Sequence, residues 1–387
     1  MAELDDELRK AMMEATARHA RFPEVSFDAY RQARYEALKA FVSTRRTVYL
    51  DLNFWISLRN PSKAKKPKES ADLLDILRNG VKAGRLLCPV SYAVFVELMK
   101  QKQSGDGRVT LARLMDDLSM GVGLRNSFDT ARIEYLRFFS QHVPRLAKYI
   151  DSVWAPIGHL THEVYPYQDE LPHEFMERSR KVMCDVIWAR KMEHLAKRDL
   201  PEYSGAAAER INSALKLNPR GNKPFSRLFS DELEGIIEQV HPYIEEVLQQ
   251  MASAGFNSTE IEVMEKQRTT AANNIRRVAT HSDGNTVPSQ RIYAALHAAM
   301  RLNPDRLYDA NDPEDFEHAS VAVGYCDLFL TDKRLSVLLS DSNVKKVIPS
   351  RCKVFGFSDF ESANTYISSL RGIEQEANID TDARSQL

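Results

Sequence analysis

The chain has 387 residues, 53 of them basic and 54 acidic, for a formal net charge of −1. That length gives room for two or three domains and for a core that needs neither disulfide nor structural metal. The balanced charge excludes the global positive field of a protein that coats nucleic acid, so any polyanion must be gripped locally. Cys88, Cys184, Cys326 and Cys352 are scattered, form no CxxC pair and sit among apolar neighbours, the pattern of buried free thiols in a reducing cytoplasm. The charged opening MAELDDELRKAMMEATARHARF carries no signal pattern, and no apolar run reaches the length of a bilayer span, so a cytoplasmic protein is expected.

Residues 1–45 read as a helical arm with a break near Pro23. TVYL, residues 47–50, reads as a buried strand that ends in Asp51. The basic run KAKKPK follows, where Lys63, Lys65, Lys66 and Lys68 form either a solvated loop or a set of phosphate contacts close to Asp51. In KESADLLDILRNGVKAGRLL, Leu73, Leu74, Ile76 and Leu77 make a helical stripe that stops at Gly80 and Gly84. RLLCPVS is a second strand, and YAVFVELMKQ is a helix carrying Glu97. The order strand, helix, strand, helix over residues 46–103 predicts a parallel sheet with right-handed crossovers.

Residues 104–303 read as a mostly α-helical insertion punctuated by prolines. Within it, SDELEGIIEQVHPYIEEVLQQM places Leu233, Ile236, Ile237, Val240, Ile244, Val247 and Leu248 on one apolar face. Core packing is the default use of such a face, and self-association or a protein partner is the functional alternative. His159, His162 and His173 in and after GHLTHE read as a solvated loop. The α/β pattern resumes over residues 304–372, with DPEDFEHASVAVGYC a helix, DLFLTD a strand, KRLSVLL a helix, and KVIPS and CKVFG strand-like. A final helix starts at a capping box of Ser358 and Glu361, and residues 373–387 form a polar tail.

Asp51 alone could be a turn residue or a helix cap. It has counterparts, however: Asp332 also ends a strand, Glu97 lies on the helix after the second strand, and Asp315 lies in the first turn of the helix that feeds LFLTD. Parallel neighbours would carry all four to one carboxyl edge, where open α/β sheets keep their sites. Crowded carboxylates repel unless a cation sits among them, and hard oxygen donors suit Mg2+ or Mn2+ rather than zinc. Each acid also has a structural use, Asp315 as an early helix residue and Glu97 as the polar side of an amphipathic helix. Asp309 and Asp312 are rivals to Asp315, while Asp327 reads as a turn cap.

These pieces, VYLDLN, PVSYAVFVEL and DFEHASVAVGYCDLFLTDKRL, taken in this order, resemble the PIN-domain ribonucleases. The resemblance covers residues 46–100 and 305–370, less than half of the chain. It implies a PIN-like three-layer α/β fold with a central parallel sheet, Mg2+ or Mn2+ held by Asp51, Glu97, Asp315 and Asp332, and hydrolysis of phosphodiesters in single-stranded RNA. Asn53 and Thr331 would orient the acids, with Ser91 and His318 behind them and the four lysines on the phosphates. The long insertion departs from the compact family pattern. It leaves open a catalytically silent scaffold that binds a partner, or a nuclease directed at DNA.

Overall fold

The structure, a computed structural model, describes residues 2–101, 107–141, 150–161, 172–198, 209–213, 223–253, 257–260, 262, 266, 286–303 and 307–370. Helices α1 (Ala2–His19) and α2 (Phe27–Ser43) lead into β1 (Arg46–Leu50), α3 (Leu52–Arg59), α4 (Pro67–Lys82), β2 (Leu86–Leu87), β3 (Val90–Ser91) and α5 (Tyr92–Lys100). There follow α6 (Gly107–Ser119), β4 (Val122–Leu124), α7 (Ser127–Ser140), β5 (Trp154–Pro156), α8 (His173–Ala189), α9 (Met192–Ala196), α10 (Phe225–Ser253) and α11 (Pro288–Leu302). The chain closes with α12 (Asp312–Tyr325), β6 (Leu328–Thr331), α13 (Lys333–Leu339), α14 (Ser342–Val347), β7 (Lys353–Gly356) and α15 (Phe360–Ser369).

Continuous apolar strands need cover on both faces, which a parallel sheet with helical crossovers provides. Val48, Tyr49, Leu50, Leu328, Phe329 and Leu330 are all fully buried, and they form the middle of the sheet. Its order is β2-β1-β6-β7, and every pairing is parallel. Leu50 stands opposite Leu330, so β1 and β6 end within one residue of each other, and the Asp51 amide donates to the Leu330 carbonyl at 3.0 Å. This register brings two positions 281 residues apart in sequence, Asp51 and Asp332, to adjacent strand ends.

The segment read as a helical insertion differs from that reading in one respect. Its strands β4 and β5 join β3 in a second sheet of order β3-β4-β5, with β3 and β4 parallel and β5 antiparallel. Strands of three residues are too short to show a period of two in sequence. Nor does this block stand apart from the α/β unit. Leu111, Met115, Leu118, Ile157, Leu160, Met192, Leu195, Ile292 and Leu296 belong to the same core as Val48, Leu50 and Leu330. In α10, Leu233 and Ile237 are buried with Leu228 and Phe229 against Ala294, Ala295 and Ala298 of α11, so core packing is the use of that part of the apolar face. The side chains of Val240, Ile244, Val247 and Leu248 lie outside the described residues.

Three local expectations change. KVIPS holds the end of α14 rather than a strand, because Asp341 caps that helix through the amides of Asn343 at 2.8 Å and Val344 at 3.3 Å. The box of Ser358 and Glu361 does not form; Asp359 instead accepts from the Gly356 amide at 3.1 Å, and Phe357 and Phe360 both lie 5.0 Å from the Phe54 ring. That aromatic packing fixes the start of α15 at Phe360. His159 is half-buried, with its Nε2 3.2 Å from the Tyr35 hydroxyl, whereas His173 is exposed and His162 lies outside the described residues.

Gly158 meets α8 closely enough to exclude any side chain, since a Cβ there would stand 2.1 Å from the Ile187 carbonyl oxygen. Gly158→Ala must push backbone against backbone, at a cost of about 1–3 kcal/mol. The melting temperature should fall by several degrees in a thermal scan.

Candidate functional site

Asp51 and Asp332 are built alike. Each ends a central strand with extended backbone, Asp51 at φ −70° and ψ 169° and Asp332 at φ −69° and ψ 170°, and each caps the helix that follows. Asp51 Oδ1 accepts from the Phe54 amide at 3.1 Å, and Asp332 Oδ1 accepts from the Leu335 amide at 2.7 Å. The cap engages one oxygen of each carboxylate. Glu97 reaches the same edge from α5, whose first turn is capped by Ser91. Asp315 arrives on α12, which packs against β6 and α5.

Electrostatics show that these groups share one neighbourhood. Burial pushes the Asp51 carboxyl up to about 7, opposed by the Phe54 amide, by His318 and by a hydrogen bond from Thr331, and reinforced by Glu97. Asp315 is pushed up to about 8, first by burial, then by Asp332, Glu97 and Asp51. An early helix position should lower a carboxyl pKa through the macrodipole. The upward shift means that burial and like charge outweigh it. Asp309 and Asp312 are engaged elsewhere, both bound by Arg334, with Arg334 Nη2 2.8 Å from Asp312. Asp327 lies at the opposite, amino edge, where it accepts from the Thr47 amide at 2.8 Å and the Thr47 hydroxyl at 2.9 Å.

His318 is buried between the acids and the core. Its Nδ1 lies 2.6 Å from the Tyr49 hydroxyl, which in turn lies 2.5 Å from Ser91 Oγ. On the other side its Nε2 stands 3.0 Å from Glu97 Oε2, an ion-pair distance without hydrogen-bond alignment. Burial alone would lower the imidazole pKa, but Glu97, with Asp51 and Asp315 beyond it, raises it above 6.5. Thr331 supports Asp51 as expected, whereas the Asn53 side chain makes no hydrogen bond among the described residues. Lys63, Lys65 and Lys68 are exposed, and Lys66 Nζ reaches the Ser358 carbonyl at 3.3 Å, which sets the basic run beside the carboxyl end of β7.

Tyr49 was not singled out from sequence, yet it links β1, α5 and α12. A signal was present: side chains alternate along a strand, so a hydroxyl two residues before Asp51 shares its face. Tyr49→Phe removes only that hydroxyl and leaves Ser91 Oγ and His318 Nδ1 to find new partners. Losing a buried polar partner costs about 1–3 kcal/mol, and thermal melting should register it as a drop of a few degrees.

The donor chemistry fits a hard divalent cation. The acids supply oxygen ligands, and two of them are pushed up to about 7 and about 8, by burial first and then by neighbouring carboxylates whose repulsion a cation would relieve. Among the described residues, no group of three or more His, Cys, Asp or Glu side chains is already arranged to hold a metal ion. Charge and donor type, rather than a formed cage, favour a cation here. Comparisons with family models, curated proteins and solved structures find no match for this chain. No helix among the described residues is long and apolar enough to cross a membrane.

Proposed function

We propose that this protein is a metal-dependent nuclease that hydrolyses phosphodiester bonds in single-stranded RNA, with a PIN-like core. The observation that carries this reading is the meeting of Asp51, Glu97, Asp315 and Asp332 at one carboxyl edge, with two of the carboxyls pushed up to about 7 and about 8. Asp51, Glu97, Asp315 and Asp332 would hold Mg2+ or Mn2+. When bound, such an ion lowers the pKa of water and neutralises charge on a leaving oxygen. Asp51 and Asp332 present their uncapped oxygens from rigid strand ends. Thr331 orients Asp51, and His318, held by Tyr49, steadies Glu97. A flexible single strand suits an edge site because its backbone can approach the acids without a duplex to open.

A second reading is a catalytically silent scaffold with the same fold. It is favoured by one observation, that Asp51 and Asp332 each already serve as a helix cap. Labelled single-stranded RNA and DNA incubated with Mn2+ or Mg2+ decide between them. Cleavage by the wild type that disappears in Asp51→Asn supports the nuclease, and the balance between RNA and DNA products fixes the substrate. If neither strand is cut and neither ion raises the melting temperature, the scaffold is the better reading.

A further inference from the structure

On the side of the site away from the lysines, three guanidiniums converge on one carboxylate. Arg31 from α2, Arg125 just after β4 and Arg132 from α7 all pair with Asp151, Arg125 at 3.5 Å and Arg132 at 3.8 Å. His159 beside them is driven down to about 3, by burial first and then by Arg125 and Arg31, so it adds no charge at neutral pH. Asp151 sets a single negative charge against these three guanidiniums. Arg132 keeps 34% of its side chain exposed, and its Nε has no hydrogen-bond partner among the described residues. A clamp between α2 and the β4–β5 unit would need only one of these arginines to balance Asp151.

Topology sets the cluster in line with the acids. β3 follows β2 after two residues, so the carboxyl ends of the two sheets face the same way. Arg125 follows the carboxyl end of β4, and Asp151 precedes the antiparallel β5, both at that edge. Across it the order runs from the arginines at β4, past Ser91 and Glu97 after β3, to Asp51 at β1 and Asp332 at β6, and on to Lys66 beside β7. From β4 to β7 is four strand spacings of about 4.8 Å each, roughly 19 Å.

We infer that the carboxyl edge is a track for the phosphodiester backbone of a single strand, held by the arginine cluster on one flank and by Lys63, Lys65 and Lys68 on the other, with the acids between them. This rests on the proposed nuclease site and adds the direction in which a strand crosses it. Binding is measured by fluorescence anisotropy of labelled RNA and DNA oligomers of about ten nucleotides and of a dinucleotide. The protein is the full chain with chelator present, so that hydrolysis plays no part. One phosphate contact to a single strand contributes about 0.7 to the slope of log affinity against log salt, or about fivefold at 0.1 M. Arg132→Gln and Lys65→Gln should each weaken the oligomer by about that factor and lower the slope by about 0.7. Arg132→Lys should restore most of the loss, and dinucleotide affinity should not change. Oligomer affinity and slope unchanged in Arg132→Gln, with an unchanged melting temperature, would overturn the track, as would competition by polyglutamate equal to that by RNA. Oligomer binding that depends on Arg132 without any metal-dependent cleavage would leave the track standing and remove the nuclease reading instead.

Discussion

Replacing Asp51 by Asn is expected to abolish metal-dependent cleavage and, at the same time, to raise the melting temperature of the chelator-treated protein. Asn is among the best helix caps, so the bond to the Phe54 amide survives and only the charge is removed. The sign follows from proton affinities. Asp51 ionises near 3.8 in the unfolded chain and is pushed by burial up to about 7 in the folded protein, so between these values the folded state holds the extra proton. Stability therefore falls as pH rises through that window, and the penalty is complete above about 7. At ~1.4 kcal/mol for each tenfold change in proton affinity, it amounts to several kcal/mol. Asp315 adds a similar penalty up to about 8, but the two share their mutual repulsion and do not simply add.

Without metal, the wild type should thus melt higher near pH 5.5 than near pH 8.5, and Asp51→Asn should flatten that slope. With millimolar Mn2+ the order reverses. Ligand carboxylates must be deprotonated, so metal binding strengthens with pH and stabilises the folded state by linkage. Asp51→Asn should lose most of that gain. A wild type with no pH slope in chelator and no gain from Mn2+ or Mg2+ would reduce Asp51 to a helix cap.

Much of the sheet is legible in the residues that build it. TVYL, RLL, DLFLT and CKVFG are apolar runs bounded by charges or turns, and each coincides with a strand of the parallel sheet to within a residue or so at either end. The acids are legible because each follows such a run or sits on the helix beside it. β4 and β5 are not, because a strand of three residues carries no periodicity and gains its order from the strands it pairs with. KVIPS misleads because its β-branched residues favour a strand, while the signal that wins is Asp341, upstream of it and acting as a cap. Tyr49 and the arginines at Asp151 escape for another reason. Their meaning lies in partners well beyond one helical turn or strand pair in sequence, and a single sequence does not show which distant residues touch.

Removing residues 105–300 is expected to leave an insoluble fragment rather than a minimal α/β core. The reading of this block as an insertion suggests a module that could be cut away, but the packing argues otherwise. Leu111, Met115, Leu118, Ile157, Leu160, Met192, Leu195, Ile292 and Leu296 are buried in the same cluster as the strands of the sheet. Each contributes roughly 1.5–3 kcal/mol by leaving water, so together they exceed the ~5–15 kcal/mol by which a domain is stable. Their loss would also expose the facing side of α5, where Val94, Phe95 and Leu98 are buried, next to the helix face that carries Glu97. β3 would lose β4 and with it the edge that holds Ser91 level with Leu124. Expression of the fragment should yield aggregate, and refolded material should show no cooperative melting. A soluble fragment that melts cooperatively and gains stability from Mn2+ would show instead that the four acids and their strands fold without the block.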